Sequence, residues 1–268
     1  MWDFVHYTQR FRVFAGDDSN GDLTPDGVAG IVGGLPNNHW YSFDVGAGTP
    51  AGVHFAAVSS EAYFYYNATQ LQYEWLHADL AAVDRARTPW VVVFGHRSVY
   101  CSCDADCDSD AMVLRRGVGA TNSSDGSWGI EALLLQFSVD LWLNGHEHNY
   151  ERNYAVRNAT LATGAASGAP GGNASAPEVL VDAAAPVYII SGSAGNVEQH
   201  EPFTRAQPPY SAFRSNTFGF GRLTVFNASA LLWEAVQTDA GQPATTGSVI
   251  DAMLLLKTPG GGGARRRG

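Results

Sequence analysis

The chain has 268 residues, a formal net charge of −10, 45% hydrophobic and 16% charged residues. That is the composition of an ordinary globular protein, long enough for one large domain or two small ones. The acidic balance argues against a nucleic-acid or anionic-membrane surface, and no apolar run approaches the roughly 20 residues of a membrane-spanning helix.

Residues 1–39 open with a short aromatic segment (Phe4, Tyr7, Phe11, Val13, Phe14) and continue as a loop rich in Gly, Asp, Asn and Pro. Gly21-Asp22-Leu23 and Asn38-His39 lie in turn-type sequence and read as solvated loop rather than metal ligands. Two strands follow, over 40–45 and 53–58, as a hairpin or neighbouring pair. Thr69 and Gln72 form a capping-box pattern, and Leu76, Leu80 and Val83 recur as the buried stripe of a helix. His77 and Asp79 fall off that stripe and are expected in solvent. After Pro89, the apolar strand 90–94 leads into Gly95-His96.

A loop of about thirty residues, carrying all the cysteines, is predicted next; such loops are often lids or rims. Ile130, Leu133, Leu134 and Phe137 mark another amphipathic helix. Strand 139–143 then delivers Asn144-Gly145-His146-Glu147-His148. Alternation of strand and helix predicts parallel pairing with right-handed crossovers. Residues 157–185, rich in Ala, Gly, Ser and Asn, read as a surface insertion. Strand 186–191 runs into Ser191-Gly192-Ser193-Ala194-Gly195-Asn196, either an anion cradle or a plain strand-end turn. Strands at 220–226, 230–236 and 249–256 form a closing meander that suggests a second sheet packed on the first.

The chemistry concentrates at the two strand–Gly–His endings. Gly145 can adopt backbone angles closed to other residues, and residues two apart in an extended segment point the same way, so His146 and His148 can face one site. A single His-x-His is also what a pair of surface histidines looks like. The repeat of the device at Gly95-His96 puts three imidazoles where open α/β sheets bind ligands, and imidazole is a common ligand for zinc, iron and copper. We therefore read His96, His146 and His148 as metal ligands.

Cys101, Cys103 and Cys107 crowd into one short segment. A structural zinc site would need a fourth ligand and usually wider spacing; in an oxidising compartment a Cys101–Cys107 disulfide with one thiol left over fits better. N-glycosylation sequons at Asn67, Asn122, Asn158, Asn173 and Asn227 lean toward a secretory-pathway or vacuolar history. No signal peptide is visible at Met1, so the natural start is expected upstream. Residues 259–268, with Gly260–Gly263 and Arg265–Arg267, read as a disordered tail.

Four stretches together resemble the purple acid phosphatases, a branch of the calcineurin-like metallophosphoesterases. They are Gly95-His96-Arg97-Ser98-Val99-Tyr100-Cys101-Ser102, Asn144 to Arg152 (Asn-Gly-His-Glu-His-Asn-Tyr-Glu-Arg), Ser191 to Asn196, and Phe218-Gly219-Phe220-Gly221-Arg222-Leu223-Thr224-Val225. Trp40-Tyr41-Ser42-Phe43 and Thr88-Pro89-Trp90-Val91-Val92 are similar to that family's pattern too, and the likeness runs in order from about residue 4 to residue 257. It implies an α/β sandwich of four layers, two mixed β-sheets flanked by helices, with two metal ions (iron paired with zinc, manganese or iron) at one edge. It assigns His96 and His146 to one metal and His148 to the other, and it implies hydrolysis of phosphate monoesters by a metal-bound hydroxide.

The family's pattern also begins with a strand-borne Asp, a Gly-Asp motif whose carboxylate bridges the metals, and a Gly-Asn-His-Glu motif; none is matched here in its strand context, Gly21-Asp22 lying in turn-type sequence. Nor does any histidine lie between His96 and Glu131. Two cations held by three neutral imidazoles, without a bridging carboxylate, make a poor dinuclear site. The expectation is thus that residues 1–258 are the C-terminal portion of a single domain, incomplete at its N-terminus. Such a chain should carry at most one metal ion and be inactive or nearly so. The competing reading is a degenerate, non-enzymatic protein that binds one ion or serves as an interaction module.

Overall fold

The structure, a computed structural model, describes residues 39–64, 68–121, 124–162, 165–168, 170–173, 175–195, 198–238 and 246–258. The aromatic segment at 4–14, Gly21-Asp22-Leu23, the sequon residues Asn67 and Asn122, and the 259–268 tail lie outside these residues.

In chain order the strands are β1 (Tyr41–Val45), β2 (Val53–Ala57), β3 (Trp90–Phe94), β4 (Gly117–Val118), β5 (Ser127–Trp128), β6 (Leu141–Asn144), β7 (Tyr150–Arg157) and β8 (Thr160–Leu161). There follow β9 (Ala165–Ser167), β10 (Glu178–Val181), β11 (Val187–Ser191), β12 (Ser211–Ser215), β13 (Gly219–Asn227), β14 (Ala230–Gln237) and β15 (Val249–Leu256). The helices are α1 (Thr69–Ala82), α2 (Asp106–Arg116) and α3 (Ile130–Gln136).

A large mixed sheet has the order β1-β2-β3-β6-β11-β7-β12, with β8 attached to β7. Its centre is parallel: β2 with β3, β3 with β6, and β6 with β11. The second sheet, β13-β14-β15-β10-β9, is also mixed, because β10 runs parallel to β15.

The near-continuous apolar runs of β3 and β6 are explained by burial on both faces. Val91, Val93 and Trp142 pack against Leu76 and Leu80 of α1, Leu114 of α2 and Leu133 and Leu134 of α3. Trp90, Val92 and Leu141 face the other way, against Leu231 and Trp233 of β14 and Met253 and Leu255 of β15. The two expected mixed sheets are present, and the three α-helices of the described residues all share one core with the same face of the large sheet. Among the described residues no helix is long and apolar enough to cross a membrane.

Several local expectations are corrected. The capping box does not form: Ala68 is the N-cap of α1 without a side-chain bond. Thr69 Oγ1 instead donates to the Ala62 carbonyl, and the Gln72 amide bonds both the backbone N–H and C=O of Ser59. Asp79 is not solvated but binds His54 and Ser42. The cysteine-bearing loop contains α2, whose Cys107, Ala111 and Leu114 are buried. The 157–185 insertion contains β10, an interior strand of the second sheet.

Candidate metal centre

β3 and β6 are neighbouring parallel strands with Phe94 opposite Leu143. Their pairing continues beyond the strands, Gly95 N–H donating to the Leu143 carbonyl at 3.0 Å and Gly145 N–H to the His96 carbonyl at 3.1 Å. The two Gly-His dipeptides therefore leave the sheet side by side at its carboxyl edge. His96 Nε2 and His146 Nδ1 are 3.0 Å apart, with ring centroids separated by 4.7 Å and planes inclined at 74°.

The turn that does this is not the extended segment expected. Glu147 N–H bonds the Gly145 carbonyl at 2.9 Å, and Asn149 N–H bonds the Glu147 carbonyl at 2.7 Å, giving two successive tight turns. The left-handed residue is His146 (φ 67°), not Gly145. A non-glycine residue there costs on the order of 1–3 kcal/mol and persists only where its surroundings hold it. The glycine demanded by close approach is Gly192, just after β11, where a Cβ would run into the Glu147 carbonyl oxygen. That packing role, with Gly192 N–H donating to the Asn149 carbonyl at 3.0 Å, accounts for the Gly/Ser turn as a support for the histidine loop.

Side chains still alternate along the turn: His146 and His148 are half-buried, while Glu147 between them is buried. His148 is placed by the 198–201 segment. Its N–H donates to Glu201 Oε2 at 3.1 Å, its carbonyl meets His200 Nδ1 at 2.9 Å, and its own Nδ1 lies 3.8 Å from Glu198. The sequence thus brings His96 and His146 into contact, whereas His148 approaches closely enough to influence His96 through its charge. Among the described residues, no set of three His, Cys, Asp or Glu ligand atoms within 4.8 Å of one another includes any of these histidines.

Arg97, the residue after His96, dominates the electrostatics. Its guanidinium donates from Nε to Glu61 Oε1 at 2.7 Å, and from Nη1 to Asp110 Oδ2 at 2.6 Å and His146 Nε2 at 3.2 Å. It also stacks over Phe64, 4.5 Å from the ring centroid. With Nε2 accepting from Arg97, neutral His146 carries its proton on Nδ1 and donates it to His96 Nε2. Burial lowers the pKa of both rings, and Arg97 lowers each further; the Glu61 carboxylate opposes the shift at His96. Both shifts favour the neutral form that metal binding requires.

Behind the turn lies a second group of polar side chains. Cys101 and Cys107 form the expected disulfide and Cys103 is a buried free thiol, whose Sγ donates to Glu147 Oε2 at 3.2 Å. Glu147 is pushed up to about 8, by burial first and then by the hydrogen bond and charge of Glu201. The Tyr-Glu-Arg that follows faces inward. Tyr150 and Arg152 bond Asp251 of β15, and Glu151 accepts from Ser102 N–H at 2.9 Å and Oγ at 2.6 Å. Glu61, Asp110, His200 and Glu201 were missed by sequence reasoning. Asp110, His200 and Glu201 sit in polar loop or helix sequence with no apolar strand running directly into them, and Glu61 lies just past β2 without the Gly-His ending that marked the other two strands.

Residues 4–150 match the family profile described as calcineurin-like phosphoesterase. That is more than half of the chain, which therefore belongs to the calcineurin-like phosphoesterases. Residues 185–252 match a second profile, iron/zinc purple acid phosphatase-like protein C. Acid phosphatase type 7 of Danio rerio is 39% identical over 236 residues, covering 85% of this chain and 49% of the relative. Purple acid phosphatase 18 of Arabidopsis thaliana is 32% identical over 233 residues, covering 84% and 44%. The branch to which the chain is related is thus that of the purple acid phosphatases. A purple acid phosphatase from yellow lupin seeds shares the fold, with a TM-score of 0.59 at 22% identity over 83% of this chain and 33% of that one. The chain spans about half the length of the curated relatives it matches.

The family implies a dinuclear metal centre, and the described residues fit it only in part. His96, His146 and His148 are neutral nitrogen donors of the right type. Yet both nitrogens of His146 are already engaged, one of them by a permanent cation, and the nearby Glu61 carboxylate is taken by Arg97. Among the described residues no carboxylate joins these histidines within ligand distance, and Arg97 holds one nitrogen of His146.

Proposed function

We propose that the chain's chemistry is the hydrolysis of phosphate monoesters, with His96, His146 and His148 as its metal-ligating residues. By itself the chain would hold at most one ion at these histidines and turn over slowly or not at all. The observation that carries this reading is the contact of His96 with His146 at the carboxyl edge of β3 and β6, in a chain whose relatives are acid phosphatases. The residues' own contribution is positional. β3 and β6 fix the spacing of the first two imidazoles, Glu201 orients the third through its backbone, and the lowered pKa of His96 and His146 favours the neutral imidazole. We assign the acid phosphatase reaction at a dinuclear centre to a longer chain, because among the described residues no carboxylate joins the three histidines within ligand distance.

The test is to load the purified chain with iron, zinc or manganese and measure both bound metal and hydrolysis of an aryl phosphate. We expect at most one ion dependent on the histidines, lost in His146→Ala, and little hydrolysis. Two ions lost together in His146→Ala, with robust turnover, would show the half-site reading to be wrong.

A second reading is a non-enzymatic binding or interaction module. It is favoured by Arg97, whose guanidinium already supplies a positive charge at His146 Nε2. Absence of any histidine-dependent metal would select it. We further propose secretory-pathway residence, with N-linked glycans at the exposed Asn158, Asn173 and Asn227 and the Cys101–Cys107 disulfide as the matching redox mark. A mass shift on enzymatic deglycosylation of the protein from a eukaryotic secretory host checks it.

A further inference from the structure

Cys103, Asp104, Glu147 and Glu201 each offer one ligand atom, and the four atoms lie within 4.8 Å of one another. They come from three separate places: the loop after Tyr100, the histidine turn, and the segment that clamps His148. Cys103 is fully buried and Glu147 is 5% exposed, whereas Asp104 and Glu201 reach toward solvent and leave a route of entry. An independent observation points to a ligand. Asn149 is 0% exposed, yet its Oδ1 has no hydrogen-bond partner. Its amide head sits within the cluster, bonding the Cys103 side chain and, through Nδ2 at 3.4 Å, the Glu201 carbonyl.

We propose that this cluster is a cation site for a zinc-class divalent ion, with Cys103 Sγ, Glu147, Glu201 and Asp104 as donors and Asn149 Oδ1 as a neutral oxygen in reserve. Tetrahedral zinc with Zn–S of about 2.3 Å and Zn–O of about 2.1 Å has sulfur–oxygen edges of roughly 3.6 Å. The Cys103 Sγ to Glu147 Oε2 separation of 3.2 Å is already close to such an edge. One thiolate and three carboxylates carry the same formal charge as the four thiolates of an all-cysteine zinc site. The thiolate selects zinc over magnesium or calcium, and coordination removes the thiol proton outright. None of the donors is one of the three histidines. The ion would brace the histidine turn from behind, because Glu147 stands between His146 and His148, and Glu201 also takes the His148 N–H. It would also occupy a thiol that otherwise lies 3.6 Å from the Cys107 sulfur of the disulfide.

Metal count alone does not separate this site from the histidines, so the test reads sulfur ligation. The oxidised 268-residue chain is titrated with Co2+ alone, and the thiolate-to-cobalt charge-transfer band in the near ultraviolet is followed. We expect a band that saturates at one equivalent, is abolished by Zn2+, is lost in Cys103→Ser, and survives in His146→Ala and His148→Ala. No band in the oxidised chain, or a band that persists in Cys103→Ser, overturns the proposal. So does a band that appears only after a phosphine reductant opens Cys101–Cys107, since that places the ion among the three thiols. Should Cys103→Ser fail to fold, Glu201→Gln takes its place: a titration shifted to higher Co2+ supports the site, and an unchanged one refutes it.

Discussion

Arg152 offers the sharpest test of how the fold holds the histidine turn. It lies on β7, four residues beyond His148, and its side chain is fully buried. Nε donates to Asp251 Oδ2 at 2.6 Å, and Nη2 donates to Asp251 Oδ1 at 2.9 Å and Glu178 Oε2 at 2.8 Å. Asp251 is on β15 and Glu178 on β10, so one guanidinium ties the large sheet to two strands of the second. Arg152→Leu would strand two carboxylates that are 0% and 1% exposed. Leaving buried charge uncompensated costs about 3–5 kcal/mol, which at roughly 2–4 °C per kcal/mol for a domain of this size is a Tm drop of roughly 6–20 °C. Burial alone would raise the Asp251 pKa, but Arg152, with help from Tyr150 and the Gly171 N–H, holds it below the ordinary carboxylate value. A depressed carboxylate contributes stability that is present above its unfolded pKa of about 3.9 and lost as pH falls through the folded value. The wild type should therefore lose stability below about pH 4, while in Arg152→Leu acid should recover part of the loss by protonating Asp251. Adding Asp251→Asn should likewise restore some of it. Thermal unfolding followed by circular dichroism at neutral and at acid pH measures both effects. A change below about 1 kcal/mol at neutral pH, or no rescue by Asp251→Asn, would refute the account.

His54 bonds Asp44 at 2.8 Å and Asp79 at 2.9 Å through its two ring nitrogens; burial alone would lower its pKa, but the two carboxylates outweigh burial and raise it. A raised pKa means the pairing is fully stabilising below about pH 6.5 and is lost as pH rises through the folded value. Tm measured from about pH 6 to about pH 9 should therefore fall more in the wild type than in His54→Gln. Gly192→Ala places a methyl group against the Glu147 carbonyl and should cost about 1–3 kcal/mol by overpacking. Because the displaced turn carries His146 and His148, zinc titration should also show weaker binding, and an unchanged affinity would mean that Gly192 does not position the loop.

Much of the fold was legible because some elements are dictated by their own composition. β3 and β6 are apolar runs that can only be buried on both faces, and the closing meander consists of apolar stretches separated by turn sequence, each placed to within one residue of the observed strand. What was missed depended on partners far along the chain. The 106–116 helix begins Asp-Cys-Asp-Ser-Asp, and its buried stripe, Cys107, Ala111 and Leu114, is obscured because Cys107 also carries disulfide chemistry. β10 is four residues within an Ala/Gly-rich insertion, and only pairing with β15 makes it a strand. Thr69 and Gln72 have capping chemistry, but the turn at Ser59–Ala62 offers them better partners. At the site, the Gly-His endings and parallel neighbours predicted the meeting of His96 and His146. The posture of Arg97 depends on Glu61, 36 positions earlier, and that of His148 on Glu201, 53 positions later. No local pattern encodes either.

The stretch from Asn144 to Arg152 also shows why a motif is weak testimony to activity when taken alone. Of its side chains only those of His146 and His148 are half-exposed, whereas Glu147, Asn149, Tyr150, Glu151 and Arg152 are 5%, 0%, 3%, 0% and 0% exposed. Glu147 bonds the cysteine loop through Cys103, Glu151 bonds it through Ser102, and Tyr150 and Arg152 fasten the second sheet through Asp251. Most of the letters that make the sequence resemble a phosphatase are thus engaged in holding a strained turn in place. A chain that had given up catalysis but kept the fold would still need them, since losing any one strands a buried polar partner. The residues that separate an active centre from an inert one are His96, His146, His148 and whatever anionic donors face them. It follows that metal binding lost in His146→Ala, rather than the persistence of Tyr-Glu-Arg, is the observation on which the enzymatic reading turns.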